Sequence, residues 1–232
     1  MALVGVLTAG VVGVGSWIAL ADRGSPVSGT SGDSHTTHTT PHHTNATANA
    51  GSAAAATSPT PPATDGVAAC VAELGKGDSV ISAAQTGIGH WAEHVQSRTD
   101  LLAGRQTKDV TSAIWKRTRL AGPGDLERYD RAVAEYKATT RVCAGTKSAG
   151  GEQGRLTTCQ ERAQVMKRAL DAAAAGMTDW RSHQQAMAAH KAGEFDAAHA
   201  QDLWVAAWTA APENIQAFRA VSAQLAAAPA CR

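Results

Sequence analysis

Three patterns of apolar and polar positions follow one another along the chain. Residues 1–21 are almost uninterruptedly apolar, from Leu3-Val4-Gly5-Val6-Leu7 through Trp17-Ile18-Ala19-Leu20, with no charged side chain. At about 1.5 Å per residue, such a helix is roughly 30 Å long, one hydrocarbon thickness. The pattern predicts a signal peptide or a signal-anchor transmembrane helix. Ala19-Leu20-Ala21 fits the small-x-small motif of a cleavage site, although no basic residue precedes the apolar run.

Residues 22–65 lose all periodicity. Val27 is their one large apolar residue among Ser, Thr, Pro, Gly, Ala, Asn and His. A segment so poor in core formers cannot offset its conformational entropy, so a disordered linker is expected. Ser58-Pro59-Thr60-Pro61-Pro62 stiffens its end toward an extended form.

From residue 66 to 232 the pattern becomes helical. Ala, Leu, Gln, Glu, Lys and Arg dominate, without alternating β-branched runs. A shift of 89 positions aligns this region with itself without a gap. Cys70 falls on Cys159, Gly87 on Gly176, Trp91 on Trp180, His94 on His183, Trp115 on Trp204 and Pro123 on Pro212. Coincidences among Cys, Trp, His and Pro are rare by chance, and the period marks an internal repeat over 70–143 and 159–231. Each unit reads as a long αα-hairpin. Its first helix runs from Cys70 to Ala103 and stops at Gly104, with its twin stopping at Gly193. A second segment starts near Thr107 or Glu194 and is interrupted at Pro123 or Pro212, which either kink it or open a new helix at its first turn.

Within the first helix, Val80, Ala84, Gly87, Trp91, His94, Arg98 and Leu101 recur at alternating spacings of four and three. Ala169, Ala173, Gly176, Trp180, His183, Met187 and His190 repeat the stripe. This period predicts knobs-into-holes packing. The fold class expected is all-α: an antiparallel four-helix-type bundle of two tandem duplicated αα-hairpins, disulfide-stapled, behind the N-terminal helix and linker.

Composition adds the compartment. A formal net charge of +1 offers no basic footprint, so nucleic acid is not an expected partner. Export makes the four Cys disulfide formers, and an up-down-up-down bundle brings all of them to one end. Cys70–Cys143 with Cys159–Cys231, and Cys143–Cys159 with Cys70–Cys231, both respect the repeat; the within-repeat pairs are preferred because each unit then carries its own staple. High Ala content, a Thr/Pro tether and Trp-rich helices are in the style of exported proteins of high-GC bacteria. The expected location is extracytoplasmic, anchored or secreted, in a bacterial cell envelope, with residues 1–21 contacting the membrane if uncleaved.

Candidate chemistry gathers around histidine. His94 and His183 each follow a matched Trp by three residues, and the repeat's two-fold would bring them together. His90 lies one turn before His94, and its equivalent Asp179 one turn before His183. His183, Met187 and His190 share a face. His90, His94, Asp179, His183, Met187 and His190 therefore form a candidate ligand set for copper or zinc, with imidazole and thioether favouring copper. Haem held by facing His and Met is a further option, without any CxxCH attachment motif. Four of the nine His, His35, His38, His42 and His43, sit in the linker, where they would collect metal loosely.

Each of these features has a plainer explanation in packing. Trp115, Trp204 and Trp208 are most simply core rings. Lys116, Arg117 and Arg119 read as a solvated face, and His199 should point away from Trp204. No GxSxG, HExxH, P-loop or GxGxxG context occurs, so catalysis is disfavoured. The function expected is an exported, membrane- or envelope-tethered helical-bundle module in a non-enzymatic structural or interaction role, with an envelope protein or glycan as partner. The alternative is an extracytoplasmic copper- or zinc-binding protein using the paired histidines.

Overall fold

Four α-helices carry the described part of the chain: α1 Gly66–Leu102, α2 Lys108–Ala138, α3 Gln153–Lys191 and α4 Ala197–Ala227. The computed structural model describes residues 66–139, 141–147 and 151–232, which contain no strand and fall in a single unit. The signal or anchor expected over 1–21 and the linker over 22–65 lie outside the described residues. Among those described, no helix is long and apolar enough to cross a membrane.

The turns follow from local chemistry. Gly104 and Gly193 take φ of 69° and 78°, a left-handed conformation that a Cβ would penalise. Around them, Arg105 N–H bonds to Asp100 O at 2.8 Å and Gly104 N–H to Leu101 O at 3.1 Å. Glu194 to Ala189 O and Gly193 to His190 O, both at 3.0 Å, repeat the pattern. These are two Schellman caps, which satisfy the last carbonyls of α1 and α3. Thr107 then caps α2 by accepting from Val110 N–H, and Asp196 caps α4 by accepting from His199 N–H.

Of the two alternatives for Pro123 and Pro212, neither proline opens a new helix; each lies inside one continuous helix. Both prolines are exposed. Proline's missing N–H frees the carbonyl four residues earlier, which for Pro123 belongs to Arg119. The Gln184 side chain from α3 donates to that oxygen at 3.4 Å. Gly122, buried beside it, leaves room that a Cβ would take from Gln184.

Packing departs from a square bundle. α1 contacts α2, α3 contacts α4, and α1 and α3 contact each other along their length, while α2 and α4 do not touch. α1 and α3 run parallel. A Cβ on Gly77 would meet Met166, one on Gly87 would meet Met177, and one on Gly176 would meet Ile88. Further along, the Trp91 and Trp180 rings stack with centroids 5.2 Å apart. The seam is thus the heptad stripe itself: Val80, Ala84, Trp91, Ala169, Ala173 and Trp180 are all buried. Glycine and alanine draw the two backbones together, and Met sulfurs fill the space the missing side chains leave.

Two disulfides close the hairpins, Cys70–Cys143 and Cys159–Cys231. They bridge sequence separations of 73 and 72 residues, so by loop-closure arithmetic each contributes about 4 kcal/mol. At the same end, Glu73 accepts from the N–H groups of Val142 and Cys143 at 2.7 and 2.9 Å.

Candidate functional site

Past the Trp91–Trp180 stack, the seam brings two imidazoles into direct contact. His94 Nε2 and His183 Nε2 are 3.2 Å apart. Trp91 lies 4.8 Å from His183 by ring centroids, Trp115 stacks on His94 at 5.8 Å, and Trp180 stacks on His183 at 5.9 Å. His183 is 6% exposed, and the residues around the pair are three indoles. The Trp115 indole N–H donates to His94 O at 3.2 Å, tying α2 to α1 at this level.

The proton arrangement follows from the neighbours. Thr118 Oγ1 lies 2.9 Å from Ile114 O and 3.3 Å from Trp115 O, so its own proton goes to a backbone carbonyl. The same oxygen is 2.8 Å from His94 Nδ1 and accepts from it. His94 therefore carries its proton on Nδ1 and presents a lone pair on Nε2, and His183 donates to that lone pair from its own Nε2. His183 Nδ1 is left as a buried acceptor with no partner among the described residues. Trp91 and Trp180 likewise bury indole N–H groups without an acceptor there.

Electrostatics keep the pair neutral. Burial, then the charge of His183, then Arg119, hold the His94 pKa well below the usual value of 6.5. Burial lowers His183 to about 4. Both rings thus stay neutral at neutral pH, each with one lone pair, on Nε2 of His94 and Nδ1 of His183. Among the described residues, Arg119, and Arg98 one turn beyond His94, make no ion pair with a carboxylate. Arg98 instead lies over the Trp208 ring at 5.2 Å. The immediate field is positive, which disfavours a divalent ion more than a monovalent one.

The other proposed ligands have different companions. His90 Nδ1 is 2.8 Å from the buried carboxylate of Asp125, whose other oxygen accepts from Arg128 at 2.5 Å. Asp179 accepts from Asn214 at 2.8 Å. His190 donates from Nδ1 to Phe195 O at 3.3 Å and meets Trp204 edge-on at 5.5 Å. Met187 is partly buried on the α3 stripe. The structure brings His94 and His183 together and assigns His90, Asp179 and His190 to separate contacts.

A porphyrin has no room between the paired rings, because the indoles and imidazoles already fill the seam. Trp115, Trp204 and Trp208 are half-buried, with Trp208 packed against the hydrophobic core, and His199 is exposed as expected. Arg117 of the basic cluster pairs with Glu93.

Sequence reasoning missed Thr118 and Asp125. The signal for them was available: Thr111, Thr118, Gly122, Asp125 and Tyr129 are the buried face of α2 and repeat at the heptad spacing, so polar types occupy core positions. A polar residue on a core stripe requires a partner, and here the partners are histidines.

A groove of about 480 Å³ runs between α1, α4 and the start of α2, floored by Ala92, Val95 and Ile215, with Gln96, Gln216 and Arg219 on its exposed rim. It does not include the histidine pair. No protein family, curated protein or solved structure matches the chain.

Proposed function

We propose that the chain is an exported, envelope-tethered, non-enzymatic helical-bundle module, built from two duplicated hairpins, that binds one metal ion between His94 and His183. The convergence of the two Nε2 atoms to 3.2 Å carries this reading. In a tetrahedral site with metal–nitrogen bonds of about 2.0–2.1 Å, neighbouring nitrogens stand about 3.3 Å apart. The observed pair can take a metal with little movement of the two nitrogens once the His183 proton has passed from Nε2 to its unpartnered Nδ1.

Thr118 supports the same role, since a hydrogen bond to the far nitrogen fixes the ring and its tautomer. Imidazole ligands suit copper and zinc. Of the two, copper as Cu(I) suits the surroundings better. Its single charge is less opposed by Arg119, and indole faces stabilise a desolvated cation. The remaining coordination positions would be filled by a ligand from solution or from an envelope partner. The apolar segment and polar linker support a tethered location, and the two disulfides are consistent with an oxidising compartment.

The test uses the full chain with His35, His38, His42 and His43 replaced by Ser, so that the linker does not contribute. After loading with Cu(I) or Zn²⁺ and exhaustive dialysis, elemental mass spectrometry should find stoichiometric metal. His94→Gln with His183→Gln should lose it while keeping its helical circular dichroism. Equal retention by that variant, or none by the starting chain, would leave the two histidines as packing groups.

A further inference from the structure

The opposite end of the seam concentrates sulfur. The Sγ atoms of Cys70, Cys159 and Cys231 all lie within 4.8 Å of one another, and Cys143 is bonded to Cys70. Cys70, Cys143 and Cys159 are essentially inaccessible, at 0%, 1% and 0% exposure, while Cys231 is partly exposed. As disulfides these sulfurs are poor ligands. We infer that, when both disulfides are reduced, the four cysteines form a second metal site, a four-thiolate centre for one thiophilic divalent cation of the zinc class.

The geometry supports this through groups other than the disulfides. Cys70 and Cys159 sit in the second turns of α1 and α3, parallel helices that bring both sulfurs to this end of the seam. Cys143 and Cys231 lie on the return segments, each held non-covalently. The Glu73 carboxylate accepts from the Val142 and Cys143 N–H groups. Gln160 donates to Cys143 O and Thr146 O, both at 3.0 Å, fastening the first hairpin's return to α3. Arg162 donates to Leu225 O and Ala228 O, and Arg155 to Arg232 O at 2.7 Å. These bonds survive reduction, so the four sulfurs stay gathered. A tetrahedral zinc–thiolate site has bonds of about 2.3 Å and sulfur–sulfur edges of about 3.8 Å; Cys70, Cys159 and Cys231 are already within 4.8 Å of one another, and Cys143, released from its bond to Cys70, would turn in as the fourth ligand.

The chemistry balances as follows. Each disulfide takes two electrons and two protons from a dithiol donor, which leaves as its own disulfide. The four thiols then release their protons as the cation binds four thiolates. Removal of four electrons by an oxidant of the disulfide class restores both cystines and expels the ion. Partly exposed Cys231 is where an external thiolate would enter. The centre is thus occupied or empty according to redox state, independently of the histidine pair.

The experiment uses the full chain, reduced anaerobically with a phosphine and freed of excess reductant, and Co²⁺ as the probe. The expected result is a thiolate-to-cobalt charge-transfer band with the intense visible bands of tetrahedral Co²⁺, saturating at one equivalent and bleached by Zn²⁺. Reoxidation should release the ion. Because the band reports sulfur alone, the histidines of linker and seam do not contribute to it. Cys143→Ser combined with Cys231→Ser, retaining one sulfur of each pair, should lose the four-thiolate band intensity. Circular dichroism accompanies each titration. A reduced chain that gives no charge-transfer band, whether it stays helical or unfolds, overturns the assignment, as does an unchanged band in the double variant.

Discussion

Hairpin α1–α2 and hairpin α3–α4 place the same contacts at positions 89 apart but make them with different chemistry. Glu73 holds its return segment by accepting from backbone N–H groups; Arg162, at the matching position, holds the other by donating to carbonyls. His90 pairs with Asp125, and the same two places in the second hairpin carry Asp179 and Asn214. Thr118 fixes His94, whereas Ala207 stands where a hydroxyl would fix His183. The caps, the turn glycines and the indole stack are alike in both halves. Helix geometry constrains where contacts fall, while many donor–acceptor pairs fit a given contact. A near-symmetric scaffold therefore holds an asymmetric site, with one histidine oriented and the other carrying an unpartnered nitrogen.

Acid should have the largest effect and should act on both halves, since burial holds His94 as well as His183 below the ordinary imidazole value. His183 has a folded pKa of about 4 against an ordinary 6.5, so between these values the unfolded chain binds a proton that the folded chain does not. Its contribution to stability is complete above pH 6.5 and is lost as pH falls toward 4. The shift corresponds to roughly 3 kcal/mol. Urea unfolding at about pH 7 and about pH 4 measures it, and subtracting the same pair of curves for His183→Gln removes the carboxylate contribution. No difference between the two proteins in that window would mean that His183 does not stay neutral on folding.

A smaller effect should come from exchanging the one hydroxyl that distinguishes the histidines. Thr118→Ala leaves His94 Nδ1 without its acceptor and should cost about 1–3 kcal/mol. Ala207→Thr in the intact chain should give His183 Nδ1 a partner and add about 0.5–1.5 kcal/mol. Imidazole nitrogen chemical shifts would register the change: the unprotonated Nδ1 of His183 should shift on accepting that hydrogen bond, while both tautomers persist. Loss of stability on adding that hydroxyl would show that the orphaned nitrogen is not accessible from α4.

The smallest expected effect lies on the solvent side. α1 carries Gly75 and Gly89 where α3 has Gln164 and Thr178, and a Cβ at either glycine would meet nothing within 4 Å. Gly75→Ala and Gly89→Ala should each stabilise by about 0.5–1 kcal/mol, chiefly by lowering the entropy of the unfolded chain. Thermal midpoints would detect the pair together. A fall instead would mean that these glycines are needed for a contact that the isolated chain does not make.

The helices were legible because their signals are local. Heptad spacing, a glycine after the last periodic position and an acceptor side chain before the first each act within a few residues. The expected first helix ran from Cys70 to Ala103, and the described residues are helical from Gly66 to Leu102. The prolines left two alternatives open because the deciding contact is not local. Whether a proline breaks a helix depends on who takes the freed carbonyl, and for Pro123 the acceptor's partner, Gln184, arrives from another helix. The site was half legible: the rare-residue repeat pointed to His94 and His183, but helical spacing alone added His90, Asp179, Met187 and His190 to the set.

Secondary structure, hairpin connectivity, the paired histidines and an even set of cysteines were all written in one dimension, through spacing and residue type. Three further features depended on the folded chain. α1 and α3 became the close pair because small residues on both stripes let those backbones approach, which is a property of two faces together. His94 gained Thr118 while His90 turned to Asp125, since hydrogen-bond partners are set by separations across helices and not along them. The cysteines joined within each hairpin because the return segments bring those sulfurs into bonding contact, a choice between two pairings that the repeat treats alike.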